Sequence, residues 1–469
     1  MQRFCLAITL VFFAVSSAFG FSINDFTKTS IPISHIGIGG DLLPFKVDIN
    51  NDGNEEIIVT RIVNTFADPT DRTAYKAYIF DQNGNDVTST YLNSDVMLQH
   101  CRRIFAEDFN GDGKKDLLFI NAGPDVLPVI GEANLLFLSN SSDDKRNKAS
   151  LPGNIDYSHN AACGDIDNDG DIDVLVTAHG PTSTNCYIYV NDGAGNFTYR
   201  VLQDTFLYGS CSLADMDNDG KTDIVLGVWN SANNPTKPSC VVFGDGAGNF
   251  NFANRVWLPE YTNLLLRNTY DVQTYDINND GLKDIIIGAY DYNCYKFSAQ
   301  ILKNKGNREF EDVTNTLLPV NFIDGDQMML DQQSFQSDIN GDGCKDIVFG
   351  QMAIYSPNGV TLPDDLPFAL IASGDKGDYS VVTYKNMFPN IDVLANYFCG
   401  TITPLETTSG TKLFNVVFEN GSFVLNIYTK YIAPTGTPSS GGGGGCNIGG
   451  YGFCALLMLL PFVFITKKI

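Results

Sequence analysis

The stretch from Asp165 to Asp173 reads DIDNDGDID, with carboxylates at positions one, three, five and nine and Gly170 at position six. A glycine there lets the backbone turn sharply enough for alternate side chains to converge, and converged carboxylate oxygens suit a hard cation, calcium above all. Five further copies begin at Asp48 (DINNDGNEE), Asp108 (DFNGDGKKD), Asp215 (DMDNDGKTD), Asp276 (DINNDGLKD) and Asp338 (DINGDGCKD). An EF-hand opens with this spacing but closes on a bidentate Glu at position twelve, between two helices. Position twelve here is Val59, Phe119, Val176, Leu226, Ile287 or Phe349, so the EF-hand is excluded. One copy alone would be an ordinary solvated turn; six in register are a repeat.

The elements that must position these loops are short apolar runs such as EIIVT, DVLVT, DIVLG, DIIIG and DIVFG, which are expected to form buried strands. The loops start 60, 57, 50, 61 and 62 residues apart, a period that fits one four-stranded propeller blade with its connections. Within each period the expected order is strand, acid loop, buried strand, variable loop, third strand, Gly-rich hairpin and fourth strand. NDGAGNF at 191–197 and GDGAGNF at 244–250 carry the hairpin chemistry. The longest variable connections, 64–73, 121–133, 231–238, 289–297 and 351–367, are where binding is expected. A seventh blade that has lost its acids is expected over 398–431, with Leu405, Thr407, Ser409 and Leu413 at the ligand positions and only Gly410 and Lys412 keeping the pattern. Residues 21–32 (FSINDFTKTSIP) parallel 310–319 (FEDVTNTLLP), so both are expected to be outermost strands, the first completing the seventh blade and closing the ring.

Of the 469 residues 43% are hydrophobic and 12% aromatic, with 44 Gly, which describes a large core with many turns. The formal charge of −24 contains 20 loop acids, and six divalent cations would halve it to about −12. The remaining negative charge argues against nucleic acid as a partner. Residues 1–20 combine Arg3, an apolar run and a small-residue end, the pattern of a secretory signal peptide cut before Phe21. At the other end a Gly/Ser/Pro-rich linker (434–447) precedes 448–469, an uncharged apolar stretch ending in Lys467 and Lys468, expected to be a C-terminal apolar helix that spans the membrane or serves as a sorting tail. A GPI signal competes, but its tail normally ends without charge. The expected location is the cell surface, anchored through this tail, with residues 21–433 outside.

Eight cysteines lie in the propeller region, namely Cys101, Cys163, Cys186, Cys211, Cys240, Cys294, Cys344 and Cys399. Cys163 with Cys211 and Cys186 with Cys240 occupy comparable places in neighbouring blades, so disulfides there and buried thiols are both open readings. His35, His100 and His159 precede an acid loop by 13, 8 and 6 residues, and with His179 they are expected to be structural or to stand at a channel mouth. Trp229 and Trp257 are expected in blade cores. No Cys-x-x-Cys, His-x-x-x-His or Gly-x-Ser-x-Gly accompanies them, and the acids are committed to the loops, so no catalytic constellation stands out.

Taken together, the six DxDxDG-type loops make residues 21–433 resemble the FG-GAP and VCBS repeat proteins, all-β seven-bladed β-propellers with calcium in their blade loops. The resemblance implies about six calcium ions. Its ligands would be Asp48, Asn50, Asp52 and Glu56; Asp108, Asn110, Asp112 and Asp116; Asp165, Asp167, Asp169 and Asp173; Asp215, Asp217, Asp219 and Asp223; Asp276, Asn278, Asp280 and Asp284; and Asp338, Asn340, Asp342 and Asp346. A position-seven carbonyl would complete each site, four-acid sites would bind more tightly than three-acid ones, and Glu56 is the departure at position nine. Such relatives include integrin α-chain heads, lectins, bacterial surface proteins and a few polysaccharide-degrading enzymes, so fold alone does not choose a function. Two expectations follow: an exported, surface-anchored calcium-binding module that holds an extracellular glycan or protein in adhesion, or a calcium-dependent polysaccharide-degrading enzyme on the same scaffold.

Overall fold

A computed structural model describes residues 26–33, 41–62, 72–124, 130–140, 142–153, 155–179, 186–202, 206–229, 238–260, 268–291, 296–318, 322–324, 333–350, 367–372, 379–387, 403–419 and 422–430. The expected signal, linker and tail, with His35, Cys294 and Cys399, lie outside the described residues. Among those described, no helix is long and apolar enough to cross a membrane.

The chain is an all-β, seven-bladed propeller with few helical turns. Blade 3 shows how sequence makes a blade: Tyr157–Gly164, Asp173–His179, Cys186–Asn191 and Phe197–Leu202 pair antiparallel in that order. Its second strand, DVLVTA, is apolar almost throughout because both faces of the sheet are covered by neighbouring blades. Val174 and Val176 pack toward blade 2 with Phe109, Leu118 and Ile120, while Leu175 between them faces blade 4 with Tyr208 and Leu226. The core therefore lies between blades, where burying each large side chain contributes about 1.5–3 kcal/mol.

Blades 1, 2, 4, 5 and 6 follow the same course from inner strands Asp41–Val47, Cys101–Glu107, Tyr208–Ala214, Asn268–Tyr275 and Gln333–Ser337. Consecutive inner strands pack side by side, and the first also touches Lys412–Glu419. Blade 7 holds Thr403–Leu405, Lys412–Glu419 and Ser422–Lys430, and Phe26–Pro32 runs antiparallel to the last of these from Phe26↔Lys430 to Pro32↔Val424.

Two expectations need correction. The paired stretches 21–32 and 310–319 do not share a conformation: Phe310–Asp312 is a three-residue strand followed by a helical turn, Thr314–Leu317. Asp312 Oδ1 accepts from both the amide (2.9 Å) and the hydroxyl (2.5 Å) of Thr314, which turns the chain, whereas Phe26–Pro32 stays extended along its partner. The connection placed at 289–297 is shorter, because strands continue to Asp291 and resume at Lys296. Of the two readings left open for the cysteines, the thiols hold: Cys101, Cys163, Cys186, Cys211, Cys240 and Cys344 are free, neither suggested disulfide forms, and Cys186, Cys211 and Cys240 pack in the core between blades 3 and 4.

Candidate metal centres

All six acid loops are built by one set of hydrogen bonds. The position-one aspartates accept from the amides of positions five and six, as when Asp165 takes Asp169 N–H at 3.2 Å and Gly170 N–H at 3.1 Å. The same pair of bonds recurs at Asp48, Asp108, Asp215, Asp276 and Asp338. Position five then accepts from position seven, for example Lys221 N–H on Asp219 Oδ1 at 3.0 Å. The turn needs left-handed backbone at positions four and six: Asn168 has φ 60° and Gly170 φ 95°. Asn or Gly at four and Gly at six meet that need at low cost in every loop.

Position nine ties the loop to its blade. The carboxylate accepts from the amide of position two in all six, from Ile49, Phe109, Ile166, Met216, Ile277 and Ile339. Its other oxygen accepts, at 2.6–2.9 Å in five loops, from an amide in the third strand or just past it: Ser139 on Asp116, Asn191 on Asp173, Gly244 on Asp223, Asn304 on Asp284 and Ala372 on Asp346. Glu56 reaches Ile49 N–H at 2.9 Å with its longer arm, and the Tyr91 hydroxyl, 3.4 Å away, replaces the strand amide. Burial pushes Asp173, Asp223 and Asp284 up to about 6 and Glu56 and Asp346 up to about 7, against the pull of these donors, and neighbouring loop carboxylates add to the rise.

Position two was missed in the sequence, although its apolar type was visible. Ile49, Phe109, Ile166, Met216, Ile277 and Ile339 are all buried and anchor the loops in the core. The carbonyl of position two is, in four loops, held by the next blade. Arg146 Nη2 donates to Ile49 O (2.8 Å), Asn191 Nδ2 to Phe109 O (2.8 Å), Asn304 Nδ2 to Met216 O (2.8 Å) and the Tyr379 hydroxyl to Ile277 O (2.9 Å). Acid loops are thus joints between blades. Asn191 and Asn304 each touch two successive loops, giving the main-chain amide to their own blade's loop and the side chain to the preceding one.

The donor sets fit a divalent cation. Asp165, Asp167 and Asp173, and likewise Asp215, Asp217 and Asp223, each bring one carboxylate oxygen within 4.8 Å of the others. Asp112 Oδ2, Asp167 Oδ1 and Asp217 Oδ1 are buried with no hydrogen-bond partner, an expensive state for a carboxylate unless a cation meets it. In the four loops with Asn at position three, the side-chain oxygen of Asn50, Asn110, Asn278 or Asn340 accepts from the amide of the position-five aspartate. The seventh loop carries no acid at the corresponding places. Thr407 and Ser409 bond to each other, and Thr408 donates its amide and hydroxyl to Asn54 of loop 1, both at 3.0 Å.

The opposite end of the blades holds the histidines. His159 is buried and, because a carbonyl only accepts, gives its Nδ1–H to Gly209 O at 2.6 Å; His179 Nε2 does the same to Tyr208 O at 2.9 Å. The two rings stack 4.6 Å apart, with Trp229 4.6 and 4.8 Å from them. Burial holds His159 well below the usual 6.5, and His179 and Arg102 act in the same sense. Trp229 belongs to this cluster, while Trp257, expected in a blade core, is 38% exposed and lies beside Arg255. Deeper along the axis Arg103 of blade 2 reaches Asp271 of blade 5 at 3.0 Å, and Asn160 of blade 3 donates to Tyr270 O at 2.9 Å, so polar side chains cross the centre of the ring.

Fold and loops define a propeller whose blades are joined through acidic turns. The FG-GAP-like repeat profile matches residues 48–119, 108–176, 165–226 and 215–287, each match running from one loop to the strand after the next, and together they span just over half of the chain. The chain belongs to the FG-GAP-like repeat family. No curated protein sequence matches it. Among solved structures, the Dos1 propeller is similar, with 8% identity, a TM-score of 0.41, and coverage of 88% of this chain and 96% of that one.

Proposed function

We propose that this protein is an exported calcium-binding propeller, anchored at the cell surface through residues 448–469, that holds an extracellular glycan or protein. The observation that carries the cation part is the buried, unpartnered oxygen on Asp112, Asp167 and Asp217, each inside a loop whose remaining groups are satisfied. Position-one, -three, -five and -nine side chains of all six loops would hold the ions. Calcium supplies no reaction there; it cancels the mutual repulsion of the carboxylates and stiffens the joints between blades. The second-to-third-strand connections, whose sequences vary most between blades, would supply the recognition surface.

A glycan and extracellular-protein binding screen of residues 21–433, with and without calcium and with polymer length followed in parallel, tests the reading. Calcium-dependent binding without turnover supports it, and loss of polymer length abolished by one loop substitution replaces it with an enzyme. Truncation at Pro434 should release the protein from the cell. In this reading Phe26–Pro32 closes the ring, and its deletion should expose an edge and lower the melting temperature of the whole propeller by well over a few degrees.

A further inference from the structure

Loops 3 and 4 present the same four aspartates, yet their surroundings differ in charge. The hairpin of each following blade leans on position three of the loop before it. A Cβ on Gly195 would stand 3.3 Å from that of Asn110, and one on Gly248 would stand 3.2 Å from that of Asp167. In blade 5 the same hairpin reads NKGNREF, and Arg308 takes the glycine's place at φ 63°. Left-handed backbone is costly for a long side chain, so something must offset it.

The guanidinium lies 3.9 Å from the centre of the Phe243 ring and gives Nε (2.8 Å) and Nη2 (2.7 Å) to one oxygen, Asp217 Oδ2. Asp217 keeps Oδ1 buried, without a partner, and gathered with Asp215 and Asp223. Lys221, at position seven, holds Asp219 Oδ2 at 2.9 Å. Loop 3 has Asp171 at that position, a fifth carboxylate, and Arg200, which donates to Gly248 O at 2.5 Å, acts on Asp167 only at a distance, without an ion pair to it. Two cations oppose the acids of loop 4, and none is paired with those of loop 3 among the described ion pairs.

We propose that Arg308 is a built-in counter-ion of loop 4, which makes that loop a markedly weaker cation site than loop 3 despite identical ligands. The inference rests on the reading that the loops bind cations and adds that loop 4 fills after loop 3. The protein would then answer calcium in stages: the joint between blades 3 and 4 fills at low concentration, and the joint between blades 4 and 5, bridged by Arg308, only at higher concentration.

The test is a calcium titration of the full chain after chelation and dialysis, read by calorimetry with calcium as the only probe. Arg308→Gly restores the residue used at Gly195 and Gly248 and relieves the backbone, so it should fold; Arg308→Gln is the second variant. Either should tighten one weak site about tenfold, which corresponds to about 1.4 kcal/mol, while leaving the ion count unchanged. In an Asp217→Asn background the same substitution should do nothing. An unchanged isotherm in both variants, with calcium still bound, overturns the role of Arg308 alone. A wild-type protein that binds no calcium overturns the cation reading together with this one.

Discussion

The two ends of the blades treat buried carboxylates in opposite ways. At the axis, His159, His179, Arg103 and Asp271 satisfy one another or nearby carbonyls, and the buried atoms without a partner on the inner strands there, Asn268 Oδ1, Ser334 Oγ and Thr403 Oγ1, are uncharged. At the acid-loop end the amides are satisfied but Asp112, Asp167 and Asp217 each retain an oxygen with no protein partner. Protein-made contacts fix stability at folding, whereas an unfinished carboxylate set hands part of it to the solution. In the seventh loop Thr407 to Thr408 take protein partners, which makes it a member of the first class located at the second end.

The largest expected effect separates the ends directly. Chelation should lower the melting temperature steeply, because each independent site filled at a hundredfold excess over its dissociation constant contributes about 2.7 kcal/mol. Magnesium should restore little of it, since it demands a tighter octahedron. Calorimetry that found no difference between calcium and chelator would erase the distinction between the ends. Next in size, His159→Ala should cost about 2–3 kcal/mol by stranding Gly209 O, and denaturant titration should give the same cost in calcium and in chelator. Asp169→Ala should instead remove one ion, with a cost of comparable size that vanishes in chelator.

Acidity offers a third probe. The folded state holds His159 below its ordinary value while the unfolded chain protonates it near 6.5, so the unfolded state binds the extra proton between those values. The His159 component alone should lower stability as pH drops below 6.5, by up to about 1.4 kcal/mol per pH unit, while the five raised loop carboxylates act in the opposite sense in chelator, so it is read as the difference between the parent and His159→Ala in chelator. The smallest effect is expected at the seventh loop. Thr407→Ala should cost less than about 1 kcal/mol, and equilibrium dialysis should count the same number of ions.

Much of this was legible in the chain, because a short turn writes its needs locally. Asp at one, Gly at six and an acid at nine have fixed partners within nine residues, and the buried strands follow from apolar runs. What stayed hidden depends on distance. The groups that hold position two, Arg146, Asn191, Asn304 and Tyr379, are of three residue types and lie 82 to 102 residues downstream. The Arg103–Asp271 pair, 168 residues apart, depends on where the ring places its inner strands. The likeness of 21–32 to 310–319 misled because Asp-x-Thr can start a helical turn or lie in a strand, and the neighbouring strand decides which.

The latch on position two also imposes an order on biosynthesis. As the chain emerges from its amino end, loop 2 is translated long before Asn191, and loop 4 long before Asn304. Blades 1, 2, 4 and 5 therefore each wait, with the turn formed but its carbonyl unclaimed, until the following blade arrives to claim it. A nascent propeller grows with one provisional joint at its leading edge, and a chain stopped at any point would be least secure at the blade made last.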